Sequence, residues 1–220
     1  MRIAAVTIVR DSEKFIIPHL KMYTGVDRNI VLFLESPIEG GAVGHSDKPD
    51  SSLDLIAKYC PEVEVFKTKT SKWGAGLFNE ALRLASDCDK VVTLHADVVM
   101  NQTNWKMLLE YLKMTDYDVY KMDMPKCTIN YYYDFEHGAR NCLDVEPIAA
   151  KSSVRYYYFY TCSEDTKIDT IDWLTVHHFT GWKLPATTKE WMEENKDWQE
   201  WIPCPQEIRD LFNEDSFRLR

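Results

Sequence analysis

The sequence lacks several features that would each assign it to a broad class of protein. No apolar run approaches the ~20 residues of a membrane-spanning helix, so no membrane span is expected. No CxxC pair occurs among the six cysteines, which argues against a zinc site or a disulfide framework and predicts reduced thiols in a cytoplasmic protein. The opening apolar run meets Arg10 and Asp11 too soon to be the core of a secretory signal.

A surplus of basic residues is also absent. The chain has 26 Lys and Arg against 35 Asp and Glu, for a formal net charge of −9. General nucleic-acid binders and proteins of anionic membrane surfaces need a basic face, so both classes are disfavoured, although a local basic patch is compatible with this balance. With 220 residues, 45% of them hydrophobic, the chain is long enough for one large domain or two small ones with a substantial core.

Apolar β-forming runs alternate with amphipathic segments over the first part of the chain. The predicted strands are 3–9, 30–34, 63–66, 91–95 and 118–124, and the predicted helices are a segment from residue 13, then 53–59, 77–86 and 103–114. This order predicts a mostly parallel, doubly wound α/β sheet. Tyrosine-rich runs at 131–133 and 155–160 and the segment 173–179 predict a small added antiparallel part. We therefore expect an α/β half over residues 1–125 and a second half over 126–220, packed together as one domain.

The end of the fourth predicted strand is the best candidate for a site. His95 and Asp97 follow the apolar residues 91–94 at the carboxyl end of that strand, where open α/β sheets bind ligands. A carboxylate and an imidazole can hold a divalent cation. An isolated His-x-Asp also fits a turn aspartate beside a core histidine, so the pattern alone leaves both interpretations open.

Four segments of the chain together resemble a GT-A glycosyltransferase, the fold of enzymes that use nucleotide sugars. Residues 10–20 look like the start of family 2 members, and residues 72–81 resemble the glycine-containing helix start before their metal motif. Leu-His-Ala-Asp-Val-Val at 94–99 resembles the DXD motif, and His-Phe-Thr-Gly-Trp-Lys-Leu-Pro at 178–185 resembles a segment of family 8-like enzymes. The resemblance implies the GT-A fold, hexosyl- or pentosyltransferase activity and a nucleotide-sugar donor, UDP-linked.

A metal site is also implied by this resemblance, with Asp97 and His178 holding Mn²⁺ or Mg²⁺. The Phe-x-Gly spacing selects His178, and strand alternation points the neighbouring His177 to the opposite face. His95 stands where the motif normally has its first aspartate, so two carboxylates have become one. An imidazole ligand shifts the expected preference toward Mn²⁺.

The implied donor-binding residues come from separate parts of the chain. Glu35, at the end of the second predicted strand, would read the uracil or the ribose. The other members are Thr7, Val9 and Arg10 at the floor of the base pocket, Lys72 paired with the phosphate or the sugar, Trp73 over the base or the sugar ring, His95 and Ala96 in the metal motif, and Gly181 and Lys183 against the diphosphate.

On the acceptor side, an inverting transferase needs a carboxylate base that deprotonates a hydroxyl group. The candidates are Glu164, Asp165, Asp169 and Asp172. Asp172 is favoured because it precedes the segment with His178, and Asp165 comes second because family 2 bases often sit in a Glu-Asp pair. A retaining enzyme needs no such base. The expected acceptor is a saccharide hydroxyl, and a modified nucleobase in DNA is also compatible.

Two other functions stay open from the sequence. One is a catalytically silent protein that binds a nucleotide or a sugar, since His95 replaces the usual acid. The other is a nucleotidyltransferase, which is disfavoured because Val9-Arg10-Asp11-Ser12 stands where that class has a glycine-rich, arginine-containing signature.

Overall fold

The computed structural model describes residues 1–36, 50–69, 74–131, 138–139, 145–157, 161–179 and 202–213. The expected donor-binding residues Lys72, Trp73, Gly181 and Lys183 lie outside these ranges. None of the helices in the described ranges combines the length and the apolar character needed to cross a membrane.

Strands and helices alternate through the first half of the chain. The strands are β1 (Ile3–Val9), β2 (Arg28–Leu34), β3 (Glu64–Thr68), β4 (Lys90–His95), β5 (Val98–Val99), β6 (Val119–Asp123), β7 (Thr128–Tyr131), β8 (Gly138–Ala139), β9 (Val145–Lys151), β10 (Ile168–Ile171) and β11 (Val176–His178). The helices are α1 (Ile16–Met22), α2 (Ser52–Tyr59), α3 (Ala75–Leu84), α4 (Gln102–Met114), α5 (Met124–Cys127) and α6 (Gln206–Asn213).

A seven-stranded sheet in the order β10-β6-β9-β4-β1-β2-β3 forms the centre of the fold. Its strands pair in parallel, except that β9 pairs antiparallel with both β4 and β6. A four-stranded sheet has the order β5-β11-β7-β8 and contains two antiparallel pairs. The predicted fold class, a mostly parallel sheet with a small antiparallel addition, is confirmed. Two strands from the second half of the chain, β9 and β10, complete the large sheet.

The core lies on both faces of the large sheet. Every residue of β1 is buried, as expected of a continuous apolar run in a central parallel strand. Residues of α1 and α4 pack on one face, and residues of α3 pack on the other. The aromatic side chains of Phe15, Phe179 and Phe212 join α6 to the small sheet in a separate cluster.

One predicted strand is wrong over its described part. Residues 155–157 belong to the run predicted as a strand at 155–160, but they form no strand. Asn79 on α3 forms the hydrogen bonds that a neighbouring strand would otherwise supply. Its side-chain Oδ1 accepts from Tyr156 N at 2.9 Å, and its Nδ2 donates to Tyr156 O at 2.8 Å. A helix side chain therefore satisfies backbone groups that the sequence pattern assigned to a sheet.

Candidate functional site

The carboxyl edge of the large sheet gathers side chains from several strands. His95 ends β4, Asp123 ends β6, and Asp172 follows β10. Since β9 runs antiparallel, its second residue, Glu146, lies at this same edge. Asp97 occupies the turn between β4 and β5, and its side chain is buried. This edge is the candidate site.

Asp97 and His178 come together here from distant parts of the sequence. His178 Nε2 lies 3.6 Å from Asp97 Oδ2. The backbone enforces this approach: His178 pairs with Val98 across the β5–β11 ladder, and Phe179 N donates a hydrogen bond to Asp97 O at 2.9 Å. The structure therefore brings together the two residues that the resemblance implied as metal ligands.

The donor atoms of this pair fit a divalent cation. Ligand distances of about 2.0–2.2 Å place two donor atoms on one ion about 3–4 Å apart, and the observed separation of 3.6 Å falls in this range. Within the described ranges, no group of three or more His, Cys, Asp or Glu side chains is arranged to hold a metal. A pair of protein ligands leaves coordination positions for phosphate oxygens and water, as Mg²⁺ sites commonly do.

His177 points away from this pair. Its ring is buried and stacks on Tyr131, whose hydroxyl lies 3.2 Å from His177 Nδ1. Burial lowers the pKa of His177 from 6.5 to about 4, so the ring is neutral near pH 7. The two adjacent histidines thus occupy different surroundings, as strand alternation predicts.

His95 has a neighbour that sequence reasoning missed. Glu146 Oε2 lies 4.0 Å from His95 Nε2, and both side chains are partly exposed. Glu146 therefore supplies a carboxylate beside the position where the DXD motif normally has its first aspartate. No local pattern around Glu146 indicated this, because its location depends on β9 entering the sheet between β4 and β6.

Four of the residues expected at the donor pocket are buried in the structure: Thr7, Val9, Arg10 and Ala96. Thr7 Oγ1 lies 2.9 Å from His19 Nε2, and Arg10 Nη1 donates to Leu34 O at 2.9 Å. The side chains of Thr7 and Arg10 therefore form internal hydrogen bonds, and their contact with a nucleotide stays a prediction.

Glu35 lies directly after β2, at the end of the strand where the sequence predicts it. Its side chain is exposed, and its backbone N donates to Thr68 O at 2.9 Å. The hydrogen bond from Arg10 to Leu34 O joins the ends of β1 and β2 just before Glu35. Glu35 is thus an accessible carboxylate on a fixed backbone at the carboxyl edge.

The candidate bases differ in where the topology places them. Asp172 follows β10 at the carboxyl edge and is exposed, and its Oδ2 lies 3.5 Å from Lys126 Nζ. Asp165 precedes β10 and therefore lies toward the opposite edge of the sheet, as does Glu164. Asp169 Oδ2 accepts a hydrogen bond from Tyr111 on α4 at 2.7 Å. Of the four, Asp172 is the residue placed beside the site, and the structure does not bring Asp165 there.

Lys126 lies between two carboxylates at this edge. Its Nζ is 3.1 Å from Asp123 Oδ2 and 3.5 Å from Asp172 Oδ2. The hydrogen bond that Lys126 donates to Asp123, followed by the charges of Asp123 and Asp172, raises the pKa of Lys126. The lysine therefore stays charged and holds both acids near the carboxyl ends of β6 and β10.

The fold is similar to solved structures of S. aureus TarS. The TarS 1–349 structure is 15% identical in sequence with a TM-score of 0.52, and the match covers 98% of this chain and 66% of that one. The complex of TarS 1–349 with UDP-GlcNAc is 14% identical with a TM-score of 0.52, covering 81% of this chain and 58% of that one. A longer TarS structure is matched over 37% of its length, so the chain spans between about a third and two thirds of these proteins.

These likenesses define the class as a GT-A glycosyltransferase fold. The family model for glycosyl transferase family 2 matches residues 44–176, which is more than half of the chain, and the chain belongs to that family. None of the curated proteins matches the chain in sequence. The predicted GT-A glycosyltransferase class is confirmed, whereas the family 8-like segment stays a prediction.

Proposed function

We propose that this chain transfers a sugar from a UDP-linked donor to an acceptor hydroxyl, with Mn²⁺ or Mg²⁺ held by Asp97 and His178. The observation that carries the proposal is the 3.6 Å separation of His178 Nε2 and Asp97 Oδ2 at the carboxyl edge of the sheet. Membership of glycosyl transferase family 2 supports the reaction class. TarS has been solved in complex with UDP-GlcNAc and with UDP, which supports a uridine nucleotide as the donor group here.

Sugar transfer releases a nucleoside diphosphate whose negative charge must be neutralised as the bond to the sugar breaks. A bound divalent cation supplies this neutralisation as a Lewis acid. Asp97 would hold the cation through a carboxylate oxygen and His178 through a ring nitrogen, and the ladder between β5 and β11 keeps the two residues adjacent. Because Asp97 is buried, its charge acts in a medium of lower dielectric constant than water, which strengthens its attraction for a cation.

The exposed acids and His95 supply the polar contacts that we assign to the donor. Glu35 is an acceptor for the N–H of a base or the hydroxyls of a ribose. His95 and Glu146, 4.0 Å apart, offer an imidazole and a carboxylate to further hydroxyl groups of the donor. In this arrangement, His95 and Glu146 together take the role of the first aspartate of the DXD motif.

Asp172 is the residue that we assign as the general base for an inverting transfer. Its carboxylate accepts the proton of the acceptor hydroxyl, the acceptor oxygen bonds to the anomeric carbon, and the bond from that carbon to the diphosphate oxygen breaks with the electron pair leaving on UDP. Asp172 is accessible and is held by Lys126. A saccharide hydroxyl is the acceptor that we propose.

The experiment that tests this function screens nucleoside diphosphates by thermal shift, with and without Mn²⁺, and then assays UDP release from UDP-sugars. A ligand that binds only the folded state raises the melting temperature by mass action. We expect UDP with Mn²⁺ to give the largest shift and a UDP-sugar to be consumed in the presence of a saccharide acceptor. Metal-dependent UDP binding without turnover of any donor would identify a silent binding protein and contradict the transfer reaction.

A further inference from the structure

His19 lies beneath the candidate site at the centre of a buried polar network. His19 belongs to α1 and is fully buried, and its ring contacts Thr7 of β1 and Val98 of β5. Nδ1 lies 2.5 Å from Val98 O, and Nε2 lies 2.9 Å from Thr7 Oγ1 and 2.8 Å from Tyr23 Oη. A carbonyl oxygen can only accept, so Nδ1 carries the proton and donates to Val98 O, while the single lone pair of Nε2 is shared by the two hydroxyl groups.

The ring of His19 is neutral in this environment. Burial lowers its pKa from 6.5 to about 4, although the hydrogen bond to Val98 and the charge of Asp97 act in the opposite direction. A neutral ring has one N–H group, which fixes the direction of each hydrogen bond. The single N–H of His19 is therefore directed at the backbone of β5.

That backbone position connects both proposed metal ligands. Val98 follows Asp97 directly in the chain, and it pairs with His178 in the ladder between β5 and β11. Strand β5 has only two residues, so few ladder hydrogen bonds hold it in place. The hydrogen bond from His19 on α1 adds a second attachment to β5, besides its pairing with β11.

We propose that His19 is a positioning residue whose Nδ1–H fixes the Val98 carbonyl and thereby the separation between the Asp97 carboxylate and the His178 ring. This inference rests on the proposed function, because the separation matters for binding only if the pair holds a cation with UDP. Hydrogen bonds that orient the ligands of a metal site typically contribute about 10–100-fold to metal affinity. The reaction as proposed assigns no chemical step to His19.

Two substitutions at position 19 separate positioning from simple core packing. In His19→Asn, the amide nitrogen overlies Nδ1 and keeps a donor for Val98 O. In His19→Gln, the amide overlies Nε2, so the contact with Thr7 and Tyr23 is kept and the donor to Val98 O is lost. Both variants remove the aromatic ring from a buried place, so both are expected to lower the melting temperature. Tyr23→Phe is the matched control, since it removes a hydroxyl from the network but leaves the Val98 hydrogen bond.

The measurement is the dissociation constant of UDP with saturating Mn²⁺, by calorimetry on the full chain, alongside the melting temperature of each variant. We expect His19→Gln to weaken binding by about 10–100-fold, and His19→Asn and Tyr23→Phe to weaken it by less than about threefold. Equal binding by the Asn and Gln variants, whether weak or strong, would overturn the positioning role while leaving the proposed function intact. Absence of metal-dependent UDP binding in the unsubstituted protein would overturn the proposed function and this inference with it.

A second measurement needs no substitution and applies even where the Gln variant does not fold. Nitrogen-15 NMR of the histidine rings reports which nitrogen of each ring carries the proton. The expected result for His19 is a protonated Nδ1 with slow proton exchange. A protonated Nε2 with a bare Nδ1 would remove the donor to Val98 O and overturn the inference.

Discussion

Two buried histidines predict a loss of stability in mild acid. Burial lowers the pKa of His19 and of His177 from 6.5 to about 4. In the unfolded chain both rings return to the ordinary value, so between these two pH values the unfolded state binds more protons than the folded state. The free energy of unfolding therefore falls as the pH falls from about 6.5 toward 4. Above about pH 6.5, the two histidines cause no loss of stability.

The magnitude follows from the two pKa values. A group with a folded pKa of about 4 and an unfolded pKa of 6.5 loses about 2 kcal/mol between pH 7 and pH 5, so His19 and His177 together lose about 4 kcal/mol. Since domains of this kind are stable by about 5–15 kcal/mol, this is a large fraction of the total. Carboxylates such as Glu64, whose pKa is lowered by the hydrogen bond from Arg28, contribute only at lower pH.

The assay is urea unfolding at about pH 7 and about pH 5 at constant ionic strength, followed by fluorescence. His177→Gln serves as the control, because it removes one of the two titrating rings and is expected to halve the difference between the two pH values. The two histidines predict that the free energy of unfolding of the unsubstituted chain differs by about 4 kcal/mol between the two pH values. A difference below about 1 kcal/mol would refute this prediction. An unaltered difference in His177→Gln would contradict the assignment to these rings.

The remaining predictions concern catalysis and the packing of α4. Asp172→Asn is expected to lower kcat by about 10²–10⁴-fold while leaving the affinity for UDP with Mn²⁺ within about twofold, as measured by UDP release and calorimetry; near-normal turnover would exclude Asp172 as the base. Lys90→Met is expected to lower the free energy of unfolding by about 3 kcal/mol, because it leaves three hydrogen-bond acceptors without their buried donor. In the structure, Lys90 Nζ donates to Leu112 O, to Thr115 O at 2.5 Å and to the Tyr120 hydroxyl at 2.6 Å. Urea unfolding checks this value, and a loss below about 1 kcal/mol would show that α4 does not depend on this lysine.

The central strands could be predicted from the sequence because burial on both faces leaves a clear pattern. The predicted strand at 3–9 coincides with β1, and the strand predicted at 91–95 differs from β4 by one residue. Continuous apolar runs between polar segments are typical of such strands. The tyrosine-rich run at 155–157 has the composition of a strand, yet it lies beside α3, where Asn79 satisfies its backbone.

The site was only partly predictable, because its geometry depends on pairings between distant segments. The motifs selected Asp97 and His178, but their contact depends on β5, a strand of two residues that no local pattern indicates. Glu146 reaches His95 only because β9 enters the sheet antiparallel. The sequence motifs therefore indicated two residues that lie close together, but not the side chains that surround them.

Polar residues inside apolar strands have internal partners that local patterns do not reveal. Thr7 stands alone among apolar neighbours in β1. In the structure, the Thr7 hydroxyl lies next to His19 on α1. Tyr23, four residues later and just after α1, also contacts the His19 ring. A single polar residue in a buried strand, facing a helix with a histidine and a tyrosine at helical spacing, is a signal of an internal network.

The most direct test of the central claim measures how strongly Mn²⁺ increases the affinity for UDP in four proteins: the unsubstituted chain, Asp97→Asn, His178→Gln and the double variant. We expect Mn²⁺ to strengthen UDP binding in the unsubstituted chain, and we expect either single substitution to abolish that increase, with no further loss in the double variant because the two residues act on one ion. Asp116→Asn, which neutralises an exposed acid paired with Lys151 at 2.7 Å, is the control and is expected to bind normally. A full Mn²⁺-dependent increase in Asp97→Asn or in His178→Gln would contradict the account.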